Sequence, residues 1–309
     1  MDIPTIQPPK LKPGDTISIV APGGTVQQRD GFERGIATLE RMGFRVRFSE
    51  RIFQSSRYLA GEDSARAEEL MEAFEDTSIQ AVMALRGGYG CSRLIPYLME
   101  KRLRLHPKVF VGFSDLTTLH LFFRRRFGWI TIHGPMAASP SLGSLAHNQE
   151  KHLLSLWTNP DYRPVLSFDQ LETWFPGPAE GILAGGCLSI VAASIGTSYE
   201  IKTEGKILFL EDHGEPPYRL DRMLTHLYLA GKLQNIAGVL LGSFLECEPT
   251  QGNYSANDTL REILTRLKVP VLAGFPAGHG VENWAIPLGA KVRIDADSRS
   301  LKILDAAVQ

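Results

Sequence analysis

Short apolar runs alternate with helix-like segments through the first half of the chain, and this alternation restricts the fold more than any other feature. Strand-like runs occupy 16–20, 81–85 and 109–113. Between the first two, apolar residues recur at helical spacing over 32–42, and Gly43 follows that segment. Such alternation predicts an α/β fold with a parallel sheet covered on both faces by helices. Any site should then lie at the carboxyl ends of the strands.

The pattern changes after residue 158. The segment 159–180 contains four prolines, which favours a linker between domains. The segment 181–199 has no charged residue, and its composition predicts a tightly packed, buried helix. A membrane span is the alternative, but four glycines, three serines and the lack of a basic flank disfavour it. Strand-like and helix-like segments follow in mixed order, so we predict domains at 1–158 and 181–309.

Composition excludes several classes of protein. Apolar residues make up 43% of the 309 residues, which is enough for a large core. The formal net charge is only -1, so nucleic acid is not an expected partner. Three widely spaced cysteines form neither a disulfide framework nor a metal-ligand pattern. The N-terminal residues do not resemble a secretory signal, and we expect a cytoplasmic protein without a membrane partner.

A serine at the end of a buried strand is the strongest candidate for chemistry. Ser114 follows the apolar run 109–113, and only Asp115 separates it from a helix-like segment. A sharp turn here would expose the hydroxyl beside the free N–H groups of the helix start, as in a nucleophile elbow. Leu116 occupies the position of the usual last glycine of that motif. The alternative is that Ser114 or Asp115 only caps the helix.

A nucleophilic serine needs a base and an acid that orients the base. Three histidines lie in loops after strand-like runs: His133, His213 and His279. His279 stands between two glycines, which allow close approach of a substrate, although a lone loop histidine is more often structural. Glu211 ends an apolar strand, and Asp212 and Glu215 are rival acids. The chain order of serine, acid and histidine is also that of α/β-hydrolases.

The glycine-rich segment 86–90 is a candidate anion-binding loop, because consecutive backbone N–H groups can surround an anion. Its glycines do not have the spacing of a dinucleotide-binding motif, and a tight turn is the alternative. Cys91 follows this loop, so a site with cysteine as nucleophile is a further possibility. A buried, inert thiol is the competing interpretation.

Seven short motifs occur in an order that is specific for one family. They lie at 86–90, 112–117, 133–136, 185–189, 209–212, 278–279 and 287–289. Together they resemble the LD-carboxypeptidases, also called murein tetrapeptide carboxypeptidases, over almost the whole chain. The family pattern usually has asparagine after the paired glycines, where this chain has Cys187. A thiol cannot make the hydrogen bonds of an amide, which puts contacts at this position in doubt.

The resemblance implies a serine peptidase in which Ser114 is the nucleophile, His279 the base and Glu211 the acid that orients it. The backbone N–H groups of Asp115 and Gly88 would form the oxyanion hole. It also implies a flavodoxin-like N-terminal domain, a mixed C-terminal domain and a site between them. Family members are typically cytosolic homodimers that need no metal, and we expect no cofactor.

The expected substrate is a peptidoglycan-derived tetrapeptide, cleaved at the L,D bond before its terminal D-alanine. Arg86, beside Gly87, would suit the free carboxylate of such a substrate, although Arg86 could instead pair with a nearby acid. The family also includes microcin-immunity peptidases, which cleave peptidyl-nucleotides, and Trp174 lies where such a preference could be set. A non-catalytic binding protein on the same scaffold is the third hypothesis.

Overall fold

Two β-sheets organise the structure. The computed structural model describes residues 3–100, 106–249, 251–252 and 254–309. Its strands are β1 (Thr16–Val20), β2 (Arg45–Phe48), β3 (Ala81–Ala84), β4 (Val109–Gly112), β5 (Thr131–His133), β6 (Val165–Leu166), β7 (Glu172–Phe175), β8 (Pro178–Cys187), β9 (Ile207–His213), β10 (Gly238–Leu245), β11 (Val271–Ala273), β12 (Ile286–Leu288), β13 (Lys291–Asp295) and β14 (Ser300–Ile303).

Helices cover these sheets. They are α1 (Asp30–Arg41), α2 (Asp63–Glu75), α3 (Ile95–Glu100), α4 (Thr117–Phe127), α5 (Pro140–Gly143), α6 (His147–Thr158), α7 (Leu188–Ala193), α8 (Pro217–Leu229) and α9 (Ala256–Thr265). Short 3-10 helices occupy Glu50–Phe53, Cys91–Leu94 and Ser114–Leu116.

The first sheet has the strand order β2-β1-β3-β4-β5-β12. Its first five strands are parallel, and β12 runs antiparallel to β5. The order 2-1-3-4-5 is that of flavodoxin-like folds, in which ligands bind at the carboxyl ends of the strands. Every residue of β3 and β4 is buried, because helices lie on both faces. The predicted α/β fold with a flavodoxin-like N-terminal sheet is confirmed.

The second sheet is mixed, as the sequence predicts. Its order is β6-β14-β13-β8-β9-β10-β11-β7, and β8 to β11 form a parallel centre. The outer strands pair antiparallel. The segment 159–180, predicted as a linker, contributes β6 and β7 and begins β8, whereas β12 joins the first sheet. The domain boundaries therefore stay a prediction.

The helix predicted over the uncharged segment 181–199 is wrong. Its first seven residues, 181–187, belong to strand β8, and α7 contains only Leu188–Ala193. A Cβ on Gly185 would lie 1.9 Å from the Phe209 carbonyl oxygen, so the glycine permits close packing of β8 on β9. A strand with neighbours on both sides and covered faces needs no charges, which explains the composition. Among the helices of the described residues, none combines the length and hydropathy that a membrane span requires.

The carboxyl ends of strands from both sheets meet at one place. The hydroxyl oxygen of Thr117, at the start of α4, accepts a hydrogen bond from the backbone N–H of Cys187 at 3.0 Å. Cys187 ends β8 and is paired in register with Glu211 on β9. This contact brings the end of β4 in the first sheet next to the ends of β8 and β9 in the second.

Candidate active site

Ser114 adopts a backbone conformation that side chains rarely adopt. Its φ is +64°, in the left-handed region, and the residue is half-buried between β4 and α4. A Cβ on Gly87 would lie 2.7 Å from the Ser114 Cβ and 2.9 Å from its Oγ. The loop after β3 therefore approaches the serine closely because residue 87 is glycine. The strained turn and this contact together fix the position of the hydroxyl, as in a nucleophile elbow.

His279 and Glu211 form a buried pair at the second sheet. His279 Nδ1 lies 2.7 Å from Glu211 Oε2, and the His279 backbone N–H donates to the same oxygen at 3.2 Å. Glu211 is completely buried, whereas the His279 side chain keeps 19% of its exposure. A Cβ on Gly278 would lie 2.3 Å from Glu211 Oε2, so this glycine is needed for the pair to form. The geometry leaves Nε2 of the histidine free to act on a neighbouring hydroxyl.

The two members of this pair shift each other's protonation. Burial raises the pKa of Glu211, and the hydrogen bond and charge of His279 partly oppose that rise. Burial lowers the pKa of His279, but its hydrogen bond to Glu211 and the charges of Glu211 and Asp212 outweigh burial and raise it above 6.5. A histidine with a raised pKa is a stronger base once it is neutral.

One cavity brings the serine and the histidine together. It measures about 270 Å³, and its lining includes Arg86, Gly87, Gly88, Ser114 and His279. Among the hydrogen bonds of the described residues, none joins the Ser114 hydroxyl to His279. Catalytic hydrogen bonds are often long without substrate and shorten in the reacting complex.

Two backbone N–H groups border the serine. In the part of the chain that the structure describes, neither the Asp115 nor the Gly88 N–H donates to a loop or cap acceptor. The Asp115 carboxylate is buried and accepts the Cys91 N–H at 2.8 Å, which ties the serine turn to the loop after β3. Burial raises the pKa of Asp115, and the hydrogen bond from Cys91 opposes this shift. The oxyanion hole formed by these two N–H groups stays a prediction.

Comparison with family models assigns the two halves of the chain. Residues 17–134 match the LD-carboxypeptidase N-terminal domain, and residues 180–294 match the C-terminal domain. The chain belongs to the LD-carboxypeptidase family. The predicted resemblance is confirmed, and the family is one of peptidases.

Relatives across bacteria agree with this assignment. The probable murein peptide carboxypeptidase of Bacillus subtilis is 33% identical, over 98% of this chain and 95% of its own length. The murein tetrapeptide carboxypeptidase of Pseudomonas aeruginosa is 34% identical, over 88% of this chain and 91% of its own. A microcin C7 self-immunity protein, solved with aspartyl sulfamoyl adenosine, superposes with a TM-score of 0.89. Its identity is 23% over 98% of this chain and all of its own, so it shows the shared fold.

The rival acids of this LD-carboxypeptidase family member have other partners. Asp212 is buried and accepts the Ser189 N–H at 2.7 Å and the His213 N–H at 2.8 Å. It thus caps the start of α7 instead of reaching His279. Glu215 forms an ion pair with Arg219 at 2.6 Å. Of the three acids, only Glu211 contacts the histidine of the cavity.

The rival base and nucleophile are also separate from the cavity lining. His133 is fully buried, and burial lowers its pKa far below that of an ordinary histidine, with smaller effects from His120 and His279. His213 is exposed and pairs with Glu246 at 3.3 Å. Cys91 is fully buried. Burial raises the pKa of its thiol, and the charge and hydrogen bond of Asp115 raise it further. The structure supports the inert interpretation of this cysteine.

The structure also shows the contacts of Arg86, Cys187 and Trp174. Arg86 is exposed, and its guanidinium donates to the Thr25 carbonyl at 3.1 Å. Among the ion pairs of the described residues, none joins Arg86 to an acid. The Cys187 thiol donates to Asp212 at 3.3 Å, so it belongs to the cap of α7. Trp174 lies on edge strand β7 with Arg261 over its ring, away from the cavity lining.

One supporting residue could not be identified from the sequence. Asn283 is buried, and its Oδ1 accepts the Gly278 N–H at 3.0 Å, which holds the loop that carries His279. Its place beside Gly278 depends on how the loop folds back over five residues. Among the described residues, no group of three or more His, Cys, Asp or Glu side chains is arranged to hold a metal ion. The metal-free mechanism stays a prediction.

Proposed function

We propose that this chain is a serine carboxypeptidase that hydrolyses the L,D peptide bond before the terminal D-alanine of murein tetrapeptides. One observation carries the proposal. Ser114, in its left-handed turn, lines the same cavity as His279, which Glu211 holds from behind at 2.7 Å. The names of the two curated relatives support a murein peptide as the substrate.

The geometry supports acyl transfer through a covalent intermediate. Glu211 accepts a hydrogen bond from the Nδ1–H of His279, so Nε2 of the neutral histidine can take the proton of the Ser114 hydroxyl. The serine oxygen then attacks the carbonyl carbon of the L,D bond, and the N–H groups of Asp115 and Gly88 bind the oxyanion. The histidine returns the proton to the leaving amine of D-alanine. Water attacks the acyl-enzyme by the same route and releases the tripeptide.

A carboxypeptidase must also recognise a free carboxylate. Arg86 is our candidate, because this residue lines the cavity and a guanidinium can bind a carboxylate through two parallel hydrogen bonds. Gly87 and Gly88, next to it, add backbone close to the scissile bond. The contact with the Thr25 carbonyl leaves further N–H groups of the guanidinium for substrate.

The test is release of D-alanine from L-Ala-D-Glu-meso-diaminopimelate-D-Ala, followed by mass spectrometry. We expect the wild-type protein to release it and Ser114→Ala to lose about a million-fold in rate. Substantial activity of Ser114→Ala would refute the mechanism. If the wild type is inactive, an aminoacyl sulfamoyl adenylate is the next substrate, because the same triad would serve an immunity peptidase. Turnover of neither substrate would favour a binding protein.

The homodimer and the cytoplasmic location implied by the family stay predictions. A light-scattering measurement on purified protein would test the first, and fractionation of the source cells the second.

A further inference from the structure

Two tyrosine rings lie exposed side by side next to the proposed oxyanion hole. Tyr58 keeps 55% and Tyr89 48% of its exposure, and the ring centroids are 5.7 Å apart. The Arg57 guanidinium lies 5.7 Å from the centre of the Tyr58 ring. We call Tyr58, Tyr89 and Arg57 the tyrosine platform. Large aromatic side chains exposed as a group, instead of singly, are typical of binding surfaces.

A buried arginine links the elements that flank the platform. Arg66 is buried and donates to the carbonyl oxygens of Pro22 and Gly90. Asp63 pairs with Arg66 and also with Arg93, the latter at 2.7 Å. These bonds link the start of α2 to the loops after β1 and β3. The rings are thus exposed on a braced frame, as a pre-formed subsite requires.

The platform adjoins the loop that contacts the nucleophile. The Gly24 N–H donates to the Gly87 carbonyl at 2.8 Å, and a Cβ on Gly24 would lie 3.5 Å from the Tyr58 carbonyl oxygen. Gly87 in turn contacts Ser114. Tyr89 follows Gly87 by two residues, so their Cα atoms are at most about 8 Å apart. The Tyr89 side chain extends beyond its Cα, so its ring can lie about three extended substrate residues from the reacting bond.

We propose that the tyrosine platform is an outer subsite that binds a pyranose ring of a glycan-linked substrate. This inference rests on the proposed function. A murein tetrapeptide is cleaved at its C-terminus and joined to sugar at its N-terminus, and three extended residues between them span about 10 Å. The C–H face of a pyranose packs on an aromatic ring, and its hydroxyl groups can bond to the Tyr58 and Tyr89 hydroxyls and to Arg57.

The experiment compares two substrates that differ only in the sugar: the free tetrapeptide and the same peptide on N-acetylmuramic acid. We expect the double variant Tyr58→Ala/Tyr89→Ala to lose about tenfold in kcat/KM on the muramyl substrate, and less than about twofold on the free peptide. The double Phe variant should retain most of the preference, because the rings remain. Tyr228→Ala is the matched control, since Tyr228 is also 53% exposed but lies near the end of α8.

Equal losses on both substrates, or none, would overturn the inference. So would a change in oligomeric state of the double variant by light scattering, because the rings would then belong to a contact between copies. If the wild type cleaves neither peptide, the proposed function fails separately. Calorimetry with muramyl dipeptide, which lacks the scissile bond, then decides: binding weakened about tenfold in the double variant supports the subsite, and unchanged or undetectable binding contradicts it.

Discussion

The nucleophile and its base come from opposite sheets and are built by different means. Ser114 is presented by backbone geometry, with a left-handed turn and a glycine contact at Gly87. His279 is prepared by electrostatics, through a fully buried carboxylate at 2.7 Å. The Ser114 half of the site therefore depends on backbone geometry alone, whereas the half formed by His279 and Glu211 depends on close packing and also on charge.

The largest expected effect tests whether Ser114 and His279 act as one catalytic unit. We predict that His279→Ala loses about a million-fold in kcat, as much as Ser114→Ala. The double variant should be no slower than either single variant, because either change alone ends covalent catalysis. Steady-state release of D-alanine measures all three. Multiplicative losses in the double variant would show that the two residues act independently.

Removing only the negative charge of Glu211 should have the next largest effect on activity. Glu211→Gln keeps the buried volume but not the anion, and we predict a loss of about ten-thousand-fold in kcat. In the wild type, activity should fall as pH decreases through the raised pKa of His279, above 6.5. Without the carboxylate, only the charge of Asp212 still opposes burial, so the pKa of His279 falls and the acid limb of kcat/KM should move to lower pH. An unmoved acid limb would separate Glu211 from the histidine.

Adding one methyl group beside Ser114 or beside Glu211 should reduce activity less. Gly87→Ala places a Cβ 2.7 Å from Ser114, and Gly278→Ala places one 2.3 Å from Glu211. We predict about a hundred-fold loss in kcat/KM for each, because a displacement of about 1 Å is enough for that. The control is Gly196→Ala, because Gly196 has a positive φ like Gly278 but a Cβ there would meet no atom within 4 Å. Normal activity of Gly87→Ala would contradict the close contact at the serine.

The smallest effect concerns substrate binding. Arg86→Met removes the guanidinium but keeps a long side chain, and we expect KM to rise about tenfold with kcat little changed. The matched control is Arg125→Met, since Arg125 lies on α4 at a different surface of the molecule. An unchanged KM would exclude Arg86 as the carboxylate-binding residue.

The sequence identifies the turn at Ser114 more readily than the pair of Glu211 and His279, for a physical reason. Ser114 is identifiable because a buried strand, a hydroxyl and a helix are consecutive in the chain. Glu211 and His279 are 68 residues apart, and only the resemblance to the family selected them from several acids and histidines. The helix predicted over the segment 181–199 is wrong because a central strand with close-packed glycines has the same uncharged composition as a buried helix. Which carboxylate faces the histidine, Glu211 or Asp212, depends on the alternation of side chains along β9.

Covalent labelling tests the central claim most directly, that Ser114 is a nucleophile activated by His279 and Glu211. The measurement is the rate of modification by a serine-directed fluorophosphonate, by intact mass and peptide mapping, in the wild type, His279→Ala and Glu211→Gln. We predict a single adduct on Ser114, formed much more slowly in both variants and with an acid limb above pH 6.5 in the wild type. An adduct on another residue, or equal rates in all three proteins, would contradict this account.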